Sequence, residues 1–75
     1  MDHHVAYSMA AAYAQLGRLD KARSWLRRSV ETGFACYPWL IRDPLIAPLR
    51  SDPGSREMFD DFRKRWEDAR TRYEG

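Results

Sequence analysis

Few side chains in this 75-residue chain could do chemistry, and their spacing argues against most of it. His3 and His4 are the only histidines, and they are adjacent. On a helix such neighbours diverge by about 100°, whereas the two histidines of a zinc helix stand four apart and converge. A free Met1 amine, two deprotonated amides and His3 would make a square-planar set suited to Cu(II) or Ni(II), but a frayed first helical turn is the simpler reading. The carboxylate pairs Asp60/Asp61 and Glu67/Asp68 are also adjacent, so they point apart and read as surface ion-pair partners. The serines lie in no nucleophile elbow, and the chain has neither a Gly-rich phosphate loop nor an H-E-x-x-H pattern. Cys36, the one cysteine, excludes an intrachain disulfide and a multi-cysteine metal site. Set among Phe34, Tyr37 and Trp39, it reads as a buried, inert thiol in a reducing, cytoplasmic setting. The expectation is therefore no catalysis, no cofactor and no metal site.

Binding is the remaining chemistry. Thirteen basic and eleven acidic residues leave a net charge of +2. A reader of nucleic acid normally shows a one-signed stripe, because phosphate contacts dominate affinity. The only candidate is Lys21, Arg23, Arg27 and Arg28, which reads first as a solvated helix face. A small basic nucleic-acid accessory is thus the weakest of the binding readings. No apolar run approaches the roughly 18 residues of a membrane span, so no membrane partner is expected.

The elements that must position these residues are helical. His3 to Leu16 holds five of the nine alanines and neither Gly nor Pro, which favours helix. Val5, Met9, Ala12, Tyr13 and Leu16 recur at helical spacing and predict its apolar stripe. Gly17 suits a helix-ending residue in the left-handed conformation. Leu19 to Thr32 predicts a second helix with Leu19, Ala22, Leu26, Ser29 and Val30 on one stripe, Trp25 beside it, and Gly33 as the stop. So short a connection forces an antiparallel hairpin. Phe34 to Asp52 is rich in apolar residues and interrupted by Pro38, Pro44 and Pro48. It predicts an ordered, largely non-helical segment lying on the helices, with one or two helical turns over Pro44–Arg50. Asp43-Pro44 and Asp52-Pro53 each read as an N-cap followed by Pro at the first helical position. Ser55 to Tyr73 predicts a last helix with Phe59, Phe62, Trp66, Ala69 and Tyr73 on its apolar face. Its polar face pairs Asp60 with Lys64, Asp61 with Arg65 and Asp68 with Arg72 at i, i+4. Strand signals are absent from the sequence.

The first hairpin resembles a tetratricopeptide repeat (TPR), a helix–turn–helix unit of about 34 residues. Met9 and Ala10 match its large-then-small pair and Tyr13 its first-helix aromatic. Gly17 matches its turn, and Ala22, Leu26 and Ser29 its small–large–small pattern. Ala6 departs from the usual aromatic and Phe34 from the usual closing proline. The following stretch runs Gly33-Phe34-Ala35-Cys36-Tyr37-Pro38-Trp39, Arg42-Asp43-Pro44-Leu45, Pro48-Leu49-Arg50 and Ser51-Asp52-Pro53. It resembles the segment that closes TPR arrays in many bacterial regulatory proteins, where a capping helix follows and a cyclase, kinase or DNA-binding domain often precedes.

The resemblance implies one all-α domain over residues 1–75. A TPR-like antiparallel hairpin (3–33) leads through an irregular Pro/aromatic connector with a short helix (34–54) to a C-terminal capping helix (55–75). It implies a protein–protein interaction module, with a peptide or protein held on the concave face by His4, Tyr7, Ala11, Ala14 and Gln15. The alternative is a structural piece that self-associates. A lone repeat leaves its outer first-helix residues, Val5, Met9 and Ala12, without the neighbour that repeats need, so a homodimer through the first helix is also expected.

Overall fold

The computed structural model describes residues 2–34 and 36–74, and of Tyr73 and Glu74 the backbone only. Five α-helices follow one another: α1 (His3–Gln15), α2 (Leu19–Glu31), α3 (Tyr37–Leu40), α4 (Ala47–Arg50) and α5 (Arg56–Glu74). Short 3-10 turns at Pro44–Ile46 and Pro53–Ser55 lead into α4 and α5. Most of the described residues are helical and none is in a strand, so the fold is all-α.

α1 and α2 pack as a hairpin. Gly17 makes the turn at φ 76°, a conformation that residues with a Cβ rarely adopt. The Arg18 N–H donates to the Tyr13 carbonyl at 2.9 Å and the Gly17 N–H to that of Ala14 at 3.1 Å, closing the end of α1. At the far end of the hairpin the Ser29 hydroxyl donates to the His3 carbonyl at 3.0 Å.

Ala22, Leu26 and Ser29 of α2 are fully buried, as their spacing predicts, and Leu19, Trp25 and Val30 are partly so. α1 corrects its predicted stripe. Ala6, Ala10, Ala11 and Ala14 are the buried residues, while Val5 and Leu16 are 51% and 73% exposed and Ala12 is exposed. The reason is steric. Alanines facing inward let the backbones approach closely, and the large core side chains come from α2, the connector and α5.

The connector also differs from expectation, since most of it is helical turn rather than irregular chain. Pro38, Pro44 and Pro48 each stand at the start of a turn, where a missing N–H costs nothing. Leu40, Ile46 and Leu49 from this segment are buried in the same core as α1 and α2. Asp43 is the expected cap, accepting from the Leu45 N–H at 2.9 Å. Asp52 makes no such bond to the backbone. Its carboxylate instead accepts from Arg23 and from the Ser55 hydroxyl. Cys36 is exposed, not buried, because Leu40 is the residue of this turn that enters the core and Tyr37 packs against it.

α5 closes the core with Met58, Phe59 and Phe62, the two phenylalanines meeting edge to face at 6.0 Å. Trp66 and Ala69 lie half-buried further along, and the Tyr73 side chain lies outside the described residues. Asp61–Arg65 and Asp68–Arg72 pair as predicted, at 3.2 and 3.0 Å. Asp60 meets Arg63 at 3.9 Å.

Candidate functional site

The face of α1 expected to hold a partner is occupied by the chain's own connector. The Gln15 side-chain amide donates to the Leu45 carbonyl at 2.8 Å. The Tyr7 hydroxyl donates to the Asp43 carboxylate, and the Tyr7 ring stacks on Phe34 with centroids 4.6 Å apart. Ala11 and Ala14 are buried, in one core with Ile46 and Leu49. Only His4 of the five predicted residues remains exposed without such a contact to the connector; its ring lies 4.2 Å from that of His3. Tyr7, Ala11, Ala14 and Gln15 therefore pack or bond within the chain, against the connector.

Asp43 is the hub of that contact. Its carboxylate is buried yet fully used, by the Leu45 N–H and the Tyr7 hydroxyl. Arg50 reaches back to donate to the carbonyls of Leu40 and Asp43, at 2.9 and 2.8 Å. Among the described residues no buried side-chain nitrogen or oxygen lacks a partner. Desolvation, reinforced by the hydrogen bond to Asp43 and its charge, pushes the Tyr7 hydroxyl well above its ordinary value. The folded chain thus keeps a proton that the unfolded chain releases near pH ~10. Stability tied to Tyr7 is complete below that pH and declines as pH rises through it. The gap in melting temperature between the parent and Tyr7→Phe should hold below pH ~10 and narrow above it; a gap unchanged at pH ~11 would contradict the contact.

The basic run is already engaged. Arg23 is paired with Asp20 and Asp52, and Arg27 lies 3.5 Å from Asp61 and over the Phe62 ring. Arg28 lies over Trp25 and Lys21 over Tyr13, at 5.3 and 6.0 Å from the ring centroids. A phosphate backbone would have to compete with these contacts.

Asp2, His3 and His4 place three donor atoms within 4.8 Å of one another, closer than adjacency alone predicts. The Asp2 carboxylate is, however, the cap of α1, accepting from the His4 N–H at 2.9 Å. That bond holds its carboxyl below the usual range. A cation there would compete with the cap. The Met1 amine of the square-planar set lies outside the described residues.

Two apolar surfaces remain. An open hollow of about 470 Å³ lies between the end of α2 and α5, lined by Val30, Phe34, Tyr37, Leu40, Phe62 and Trp66. The outer face of α1 exposes Val5, Ala12 and Leu16, with Met9 half-buried between them. α1 contains no Asp, Glu, Lys or Arg, so this face carries no formal side-chain charge. Among the described residues no helix is long and apolar enough to cross a membrane. Compared with known proteins, the chain matches no family model, no curated protein and no solved structure.

Proposed function

We propose that this chain is a protein-interaction module, the closing unit of a TPR-like helical stack, which presents the outer face of α1 to a protein partner. One observation carries the reading. The connector covers one side of the hairpin, while the other keeps Val5 and Leu16 more than half exposed on a charge-free helix. Hairpins in helical stacks bury such faces on neighbours, and contiguous exposed apolar surface marks contact sites. The small residues Ala10, Ala22 and Ser29, all fully buried, and the left-handed Gly17 support the TPR-like register. The partner surface in this reading is the α1 outer face, and the residues of the concave face hold the connector. No catalytic role enters it.

Site-specific photo-crosslinking tests the reading. A photoreactive phenylalanine at position 12 or 16, in cells making the protein, should give protein adducts of defined mass. The same group at position 57, on the exposed polar side of α5, should give none. Absence of adducts from α1, or equal adducts from all three positions, would overturn it.

A further inference from the structure

We infer that the partner of the α1 face is a second copy of this chain, packed antiparallel through α1 about a two-fold axis; the inference rests on the interaction reading above. Val5, Met9, Ala12 and Leu16 are spaced four, three and four apart, the alternation of a two-helix seam. That spacing is symmetric about its midpoint. An antiparallel copy therefore sets Val5 against the partner's Leu16 and Met9 against the partner's Ala12, and the two-fold repeats both pairs. The sizes match as well, since flexible Met9 faces the small Ala12.

Charge favours the same arrangement. The seam itself has none to desolvate, and its two ends carry opposite signs. Exposed Asp2 stands at the start of α1, and exposed Arg18 and Lys21 stand just beyond its end. Asp20, between those two cations, is already paired with Arg23. An antiparallel copy brings each Asp2 toward the partner's Arg18; a parallel copy would bring like ends together. Two-fold association is also the commonest form of self-assembly. The seam is only about two heptads long, so the dimer is expected to be weak and concentration-dependent.

Disulfide trapping tests the geometry in a Cys36→Ser background, which removes the exposed native thiol. Val5→Cys and Leu16→Cys both change exposed side chains, so the fold is retained. Mixed under mild oxidation, the two variants should form the Val5→Cys/Leu16→Cys heterodimer at least about tenfold over either homodimer. Two Val5 positions in this arrangement lie roughly 16 Å apart along the helices, beyond the ~7 Å Cα separation a disulfide spans. Leu16→Glu should remain monomeric in light scattering at concentrations where the parent associates. Val5→Cys homodimers would overturn the antiparallel arrangement. Failure of the mixed variants to crosslink, with the parent monomeric at about millimolar concentration, would overturn the second copy as partner. Photo-adducts of foreign mass in that case would leave the interaction reading standing; their absence would remove both.

Discussion

Ala22→Arg should leave the chain without a cooperative melting transition and with most of its far-ultraviolet helix signal lost. Ala22 is fully enclosed, in one core with Ala10, Ala14 and Leu26. A guanidinium on four rotatable bonds cannot fit there without separating α1 from α2. Overpacking alone costs about 1–3 kcal/mol, and an unpaired buried charge adds about 3–5 kcal/mol. A domain of this length has roughly 4–11 kcal/mol in all, at the usual stability per residue. Asp20, the carboxylate nearest in sequence, gives no relief, because it already holds Arg23. Ala22→Gly adds no bulk and no charge and should cost only about 2 kcal/mol, from lost helix propensity and the buried methyl. A melting temperature for Ala22→Arg within a few degrees of the parent would place Ala22 away from the hairpin contact and make the repeat register wrong.

The two helices of the hairpin were not equally legible. α2 sets Leu26 and Ala22 against Asp20, Lys21 and Arg28, and its buried face follows from that contrast. α1 is uncharged all round, with small residues on three sides. Its pattern therefore does not say which side faces inward: the stripe of Val5, Met9, Ala12 and Leu16 and the side of Ala6, Ala10, Ala11 and Ala14 are both uncharged. Close backbone approach selected the alanines instead. Two prolines of the connector misled for a related reason. Pro44 opens a turn as its Asp43 cap predicts, whereas Pro38 and Pro48, read as breakers, also open turns, and which role applies depends on where Ile46 and Leu49 find cover.

The candidate site shows the same limit. Tyr7, Ala11, Ala14 and Gln15 were legible as one helix face. What lies on that face comes from about thirty residues downstream, and local spacing carries no record of it. Asp43 was recognisable as a cap because Pro follows it. Its second role, accepting from Tyr7, needs the tertiary fold. The exposure of Cys36 was likewise hidden, since aromatic neighbours in sequence need not surround a side chain in space.

Asp43→Ala should be the most damaging single change outside the apolar core. It removes the acceptor for the Leu45 N–H, and loss of such a cap costs about 0.5–2 kcal/mol. It also leaves the half-buried Tyr7 hydroxyl without its acceptor, at about 1–3 kcal/mol. The expected sum is about 1.5–5 kcal/mol, a large share of the stability of so small a domain. Asp43→Asn keeps an oxygen for the Leu45 N–H but sets an amide NH2, a donor, opposite the Tyr7 hydroxyl, so it should recover the cap and not the bond that Tyr7 donates. The effect should begin locally. Amides of Leu45, Ile46, Ala47 and Leu49 should exchange faster while those of α2 keep their protection, because the contact fastens the connector to α1 and not α1 to α2. Tyr7→Phe attacks the same bond from the other side and leaves a buried carboxylate short of a donor. The double variant Tyr7→Phe/Asp43→Ala should therefore cost less than the two single changes added together, with a coupling of about 0.5–3 kcal/mol. Chemical denaturation of the four proteins measures that coupling. Strict additivity would mean that Tyr7 and Asp43 do not meet, and that something other than their bond holds the connector in the groove.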